Sequence, residues 1–334
     1  MSSEKILVFT KNWFGDVIMQ TPCFRILKEN FPGSKLIAAM PARTQSVVKN
    51  NPFVDGVIPF DEKDADRGFI AKLGFSQRLR KEKFTRAYLL HRSKTRAMLC
   101  WMAGIPIRVG YDVKGRKAFL SKSVRVPAEP MHQTDYAVHL LKASGLHVPA
   151  EYFSEFYFSD QDAMRAEKWL EEFFPAGTKK VIALNPGANW EPKRWPAEYF
   201  ARTADLLAGD DPVGFIITGA DKDGPLAEKI IRSVHKAKPV SLCGKTTMGE
   251  LGALLSHCDL MITADSGPMH IASSVGTPVC ALFGPTESSD TGPRGKSPLL
   301  IMEERMDGKA DPQALMRAIT PEKVVKAVRE LNRV

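Results

Sequence analysis

Short apolar, β-branched runs alternate with longer helix-patterned stretches along almost the whole chain. In the first half the runs are KILVFT (5–10), KLIAAM (35–40), GVIPF (56–60), RAYLL (86–90) and the weaker IRVG (107–110). Helical spacing fills roughly 17–30, 42–50, 68–83 and 94–103 between them, then 133–145. The second half repeats the alternation with VIALN (181–185), VGFIIT (213–218), PVSLC (239–243), LMITAD (260–265) and PVCALFG (278–284). Strands and helices joined by short turns predict parallel sheets covered by helices on both faces. Two such series predict two Rossmann-like α/β domains. The expected division is 1–155, 156–320 and a C-terminal helix within 321–334, which is expected to pack back on the N-terminal domain. Thr320-Pro321 opens that helix with a capping residue followed by proline at the first helical position. Residues 111–130 are basic and lack helical period, so a loop or short strands are expected there.

Length and composition fit this picture without sharpening it. A chain of 334 residues, 44% hydrophobic and 25% charged, suits two globular domains and excludes a disordered chain, a collagen-like fibre and a small disulfide scaffold. No apolar run reaches the roughly 18 residues of a membrane span. The start, MSSEKILVFT, passes directly into a strand pattern rather than a signal peptide. Five scattered cysteines without a CxxC pair predict reduced thiols in a cytosolic protein, and no zinc site. Charge does change the picture. Residues 1–155 hold 25 Lys+Arg against 14 Asp+Glu, whereas residues 156–334 hold 22 against 24. One domain is therefore expected to meet something anionic: nucleic acid, a phospholipid surface or a phosphorylated substrate.

Candidate chemistry gathers where strands run into helices, the edge at which such folds place ligands. KNWFGDVIMQTP (11–22) follows the first strand with a single glycine, Gly15, too few for a dinucleotide fingerprint. Asp16 there is either a helix N-cap, the commoner use of Asp at such a position, or a carboxylate held as a general base. NPGANWEPKRWP (185–196) follows the first strand of the second half. Gly187 and Ala188 lie in a turn whose backbone N–H groups could hold an anion, with Lys193 and Arg194 adding charge; an ordinary surface loop is the equal alternative. The strongest segment is TADSGPMHIASSVGTPVCALFGPT (263–286). Asp265 ends a strand, Ser266 and Gly267 open a helix suited to a phosphate, and His270 lies one turn after Ser266. HExxH, Walker A, Gly-x-Ser-x-Gly and Asp-x-Asp patterns are absent, so metal hydrolases, P-loop ATPases and α/β-hydrolases lose support, and no metal is expected.

Together NWFGD, PGANWEPKRWP, ADSGPMH and FGPT resemble the ADP-heptose:lipopolysaccharide heptosyltransferases, glycosyltransferase family 9. LRKEKFTRAYLL (79–90) and MAGIPIRVGY (102–111) match its heptosyltransferase II subgroup, and the likeness spans nearly the whole chain. The resemblance implies a GT-B fold, two Rossmann-like parallel-sheet domains facing across a cleft. It implies that the second domain binds ADP-L-glycero-D-manno-heptose and the first binds the inner-core oligosaccharide on lipid A. Asp16 matches the family's catalytic base and Lys193 its donor-site lysine near the diphosphate and heptose. Asp265 matches a donor-contacting acid, Ser266 and Gly267 the phosphate-binding amides, and His270 the neighbouring histidine. Asp223, in the turn GADKDG (219–224), falls where relatives carry an acid that binds the nucleoside, and Thr246 falls near the adenine. The implied reaction is inverting and metal-independent, with no cofactor, because ADP-heptose is a substrate. The implied place is the cytoplasmic face of the inner membrane, in peripheral contact with anionic lipid and without a nucleic-acid partner. The alternatives are another GT-B transferase, a nucleotide-sugar epimerase, or a basic protein that binds anionic lipid or nucleic acid.

Overall fold

The computed structural model describes residues 4–209, 212–305 and 311–331. The chain divides into two units, Met1–Ser154 and Glu155–Val334, one residue from the expected division. The first unit carries strands β1 (Lys5–Phe9), β2 (Lys35–Met40), β3 (Gly56–Pro59), β4 (Arg86–Leu89), β5 (Ile107–Tyr111) and β6 (Lys122–Val124). Its helices are α1 (Phe14–Ile18), α2 (Thr21–Asn30), α3 (Phe69–Lys81), α4 (Lys94–Met102) and α5 (Gln133–Ala143). The strands form one parallel sheet in the order β3-β2-β1-β4-β5-β6.

The second unit carries β7 (Lys180–Asn185), β8 (Val213–Ile217), β9 (Val240–Ser241), β10 (Leu260–Ala264), β11 (Val279–Phe283) and β12 (Leu299–Glu303). Its helices are α6 (Asp160–Phe173), α7 (Ala197–Ala208), α8 (Gly224–Ser233), α9 (Met248–Ser256), α10 (Gly267–Val275), α11 (Ser288–Thr291), α12 (Pro312–Ala318) and α13 (Pro321–Leu331). The sheet order is β12-β11-β10-β7-β8-β9, again parallel. Read from its other edge, this is the order of the first sheet. Each unit therefore reverses its strand order once, between β1 and β4 and between β7 and β10. At such a switch point the chain leaves neighbouring strands in opposite directions, which opens a crevice at their carboxyl ends.

Apolar faces hold each unit. In the first, Phe9 of β1 meets Phe60 and Phe75 at ring distances of 5.5 and 6.1 Å, and Leu79 of α3 joins the same buried cluster. In the second, Leu184, Phe215, Ile217 and Ile262 pack with Phe200 and Ala204 of α7. The five cysteines are unbonded, and burial raises the thiols of Cys100, Cys258 and Cys280 to about 12.

Three elements differ from the sequence expectation. The helix expected over 17–30 is two helices, because Pro22 removes an amide and crowds the carbonyl of Ile18, which accepts a hydrogen bond from Thr21 Oγ1 at 2.7 Å instead. The stretch expected as helix over 42–50 is a 3₁₀ turn, Ala42–Val47, in which short polar and β-branched side chains favour the tighter form. LLIME adds β12, an edge strand that the pattern did not single out. The last helix, expected over 321–332, runs Pro321–Leu331, and residue 332 lies outside the described residues. Val324 and Val328 of this helix are buried in the core of the second unit. The basic stretch 111–130 supplies the short strand β6.

Candidate active site

In the second unit the β7 and β10 turns are tied by one buried amide. Asn185, at the end of β7, donates through Nδ2 to Ser266 Oγ at 3.0 Å, Gly187 O at 3.1 Å and Thr263 Oγ1 at 3.2 Å. Asn185 is paired with Thr263 in the β7–β10 register, so the strand order itself brings these groups together. Lys193, in the 3₁₀ turn Glu191–Lys193, reaches the same place: its Nζ lies 2.6 Å from Asp265 Oδ2. Thr286 Oγ1, from the turn after β11, donates to that carboxylate oxygen at 3.0 Å. Arg194 Nε donates to Ala188 O at 3.2 Å and clamps the 186–194 turn, while Trp195 buries its ring and donates from Nε1 to Ile319 O.

Ser266 is the N-cap residue of α10, yet its hydroxyl is engaged by Asn185 and Thr263 and does not cap the helix. The first turn of α10 thus presents backbone amides and the positive end of the helix dipole at the switch point. α10 stops at Gly276, whose φ of 96° lies in the left-handed region that favours glycine. His270 is buried inside α10 rather than lying open to solvent.

Asp223 is buried against the backbone of the β7 and β8 turns. Its Oδ2 accepts from Ala220 N at 2.9 Å, and a Cβ at Gly187 would lie 2.5 Å from the same oxygen. Only glycine at 187 admits that carboxylate. Asp223 Oδ1 is buried with no hydrogen-bond partner among the described residues. Thr246 sits farther along, half-buried in the turn between β9 and α9. The second unit thus joins Gly187, Ala188, Lys193, Arg194, Asp265, Ser266 and Gly267 around one switch point, with Asp223 beneath the first turn.

The first unit places Asp16 at its own switch point. Asp16 is the third residue of α1, and Trp13 holds the N-cap position without a side-chain cap, so the N-cap expectation is corrected. The Asp16 carboxylate instead accepts from Lys11 Nζ at 3.0 Å through Oδ1, and Lys11 also donates to Gln133 Oε1 of α5. Below them Arg96 of α4, fully buried, donates to Thr10 O and to Asn12 Oδ1 at 2.6 Å. Arg96 pairs loosely with Glu62 at 3.5 Å, and burial lowers its pKa to about 10. His91 after β4 is lowered to about 3, first by burial and then by Arg96, Lys11, Arg116 and Lys114. A depression of about 420 Å3 opens beside it, lined among others by Asn12, Lys63, Lys72, Lys94 and Lys114. Lys11, Arg96, Asn185 and Thr286 were not singled out by sequence. Of these, Asn185 had a signal, as the last residue of a strand entering a Pro-Gly turn.

Two Rossmann-like units of this strand order, each with polar side chains gathered at the switch point, form the architecture of a GT-B glycosyltransferase. The chain belongs to glycosyltransferase family 9 (heptosyltransferase), whose sequence profile matches residues 72–312. It is similar to lipopolysaccharide heptosyltransferase 2 of Escherichia coli K12, 28% identical over 300 residues that cover 86% of this chain and 85% of that protein. It is also similar to lipooligosaccharide heptosyltransferase 2 of Haemophilus influenzae, 26% identical, with 98% of this chain and 99% of that protein covered. Among solved structures, a family 9 glycosyltransferase from Veillonella parvula superposes with a TM-score of 0.89 at 25% identity, covering 98% and 97% of the two chains. The E. coli ADP-heptose heptosyltransferase II structure has the same fold, with a TM-score of 0.79 at 24% identity and 98% of each chain covered. The GT-B expectation therefore holds, and the chain is a glycosyltransferase rather than a non-catalytic basic protein.

Proposed function

We propose that this glycosyltransferase moves heptose from ADP-L-glycero-D-manno-heptose to the heptose of the lipopolysaccharide inner core, with inversion and without a metal ion. The reading rests above all on the Lys193–Asp265 pair beside the Asn185–Ser266 bond. These groups set a cation, a carboxylate and the start of α10 side by side, a combination that suits a sugar diphosphate. The similarity to lipopolysaccharide and lipooligosaccharide heptosyltransferases 2 supports the sugar and the acceptor.

In this reaction an acceptor hydroxyl attacks the anomeric carbon as the bond from that carbon to the ADP oxygen breaks. Asp16 takes the hydroxyl proton. The transition state is oxocarbenium-like, and negative charge grows on ADP. Lys193, Arg194 and the amides at Ser266 and Gly267 meet that charge. Lys193 turns from Asp265 toward the diphosphate, and Asp265 faces the sugar. Gly187 and Ala188 border the diphosphate, with His270 behind the first turn of α10. Asp223 Oδ1 accepts a nucleoside hydroxyl, and Thr246 lies toward the adenine. The cationic first unit suits an acceptor bearing carboxylates and phosphates at the cytoplasmic face of the inner membrane.

Turnover of ADP-heptose on purified inner-core acceptors of different lengths, with EDTA present, tests the reading. Transfer is expected. Turnover of a UDP- or GDP-sugar in place of ADP-heptose overturns the substrate assignment, and activity lost in EDTA but restored by magnesium or manganese overturns the metal-free step.

A further inference from the structure

α3 is apolar on two sides, and the protein covers only one. Phe75 and Leu79 are fully buried against Phe9 and Phe60. The helical period puts Phe69, Ile70 and Leu73 on the opposite side, with Arg80 and Lys81 farther along it. Phe69 is 76% exposed, Ile70 84% and Leu73 38%, so three large apolar side chains sit together in water at one end of a helix. Scattered exposed apolar residues are ordinary; a contiguous group on one helix face marks a contact surface. Cations outnumber acids around the group: Arg67, Arg80 and Lys81 are exposed, and residues 63–83 hold seven Lys+Arg against three Asp+Glu. An apolar strip bordered by Lys and Arg is what an interfacial helix presents to an anionic bilayer, with rings among the acyl chains and ammonium and guanidinium groups among the headgroup phosphates. A second copy meeting this face with its own would set cations against cations, whereas an anionic bilayer complements them.

We propose that the outward face of α3, through Phe69, Ile70 and Leu73 with Arg67, Arg80 and Lys81, docks the first unit on anionic phospholipid. Lys72, on the inward flank of the same helix, borders the depression beside Asn12 and Lys94, so docking there sets that depression next to the lipid surface. The choice of occupant rests on the proposed acceptor being lipid-anchored. The vesicle-binding readout uses neither donor nor acceptor, so its failure leaves glycosyl transfer standing.

The full-length protein is sedimented with vesicles of phosphatidylethanolamine and phosphatidylglycerol, and separately with neutral phosphatidylcholine vesicles. Binding is expected to the anionic vesicles, at least about tenfold weaker to the neutral ones, and weakened by rising salt. The Phe69→Ser/Ile70→Ser and Arg80→Glu/Lys81→Glu variants should each lose about tenfold or more in vesicle affinity. Both should keep wild-type turnover on a delipidated, soluble acceptor, which shows that they fold. Wild-type vesicle affinity in both variants, or equal binding to neutral vesicles, overturns the proposal. So does a concentration-dependent dimer that the Phe69→Ser/Ile70→Ser variant abolishes, since that assigns the face to a second copy.

Discussion

At the β7–β10 switch point the bridge between turns is a neutral amide, Asn185, and Lys193 is matched by Asp265. At the β1–β4 switch point the bridge is itself a cation, the buried Arg96, and Lys11 stands between Asp16 and Gln133. The strand order is the same and the electrostatics differ. The second unit offers preformed amides and a balanced ion pair, an environment that a diphosphate can enter by exchanging one partner of Lys193. The first unit gathers Lys11 and the buried Arg96 beside two carboxylates, Asp16 and Glu62, of which Asp16 is the proposed proton acceptor. One strand order thus presents two electrostatic environments, because the residues that follow the strands, not the strands, set the charge.

The largest effect tests whether the base belongs to the first unit. Asp16→Asn keeps the shape and can still accept from Lys11, yet it cannot take up a proton. Transfer should fall by about 10²–10⁴-fold. Because Asp16 does not cap α1 and Asn keeps an acceptor for Lys11, the Asn variant should change stability by no more than about 0.5 kcal/mol. An Asn variant with substantial activity would leave the first unit without its base.

Lys193→Ala probes the other side. Losing a donor that meets charge growing on the leaving group should lower kcat about a hundredfold and raise the donor KM less. A variant with wild-type kcat and only a raised KM would make Lys193 a binding residue alone. Asn185→Leu comes next: it leaves Ser266 Oγ, Thr263 Oγ1 and Gly187 O without their donor, at a cost of about 1–3 kcal/mol. Its denaturation midpoint should drop and its ADP affinity weaken together. Stability lost with ADP affinity intact would separate the bridge from the donor site.

The smallest effect is a pH dependence of the first unit. His91 has a folded pKa of about 3 against an ordinary 6.5, so the native state holds it neutral. Below pH 6.5 the unfolded chain binds a proton that the native state refuses. The contribution is therefore present above pH 6.5 and is lost as pH falls from there toward 3. His91→Asn retains an acceptor for the Ser93 amide, which His91 Nδ1 now receives at 3.0 Å, and does not titrate. Urea unfolding at pH 7.5, 6 and 5 should show wild type losing stability relative to this variant on acidification. Parallel curves would mean that His91 takes up its proton as readily in the fold as in the unfolded chain.

Much of the fold is legible because parallel strands are nearly continuous apolar runs: KILVF, KLIAAM and LMITA announce themselves. LLIME does not, since an edge strand shares its composition with many apolar stretches and depends on β11 for pairing. The second site is likewise readable, because DSG and NPG set helix starts and turns within a few residues of each other. The first is not. Lys11 reaches Gln133 across 122 residues and Arg96 reaches Thr10 across 86, and such pairings follow from sheet order rather than local pattern. The N-cap expectation for Asp16 failed for a related reason: α1 begins two residues earlier, at Phe14, in a turn whose start no capping side chain marks.

Amide hydrogen exchange of the full-length protein with and without ADP tests the division of labour directly. If the second unit holds the nucleotide, ADP should slow exchange at residues 187–188, 219–223 and 266–270. Slowing confined to the turns of the first unit, with these three segments unchanged, would contradict it.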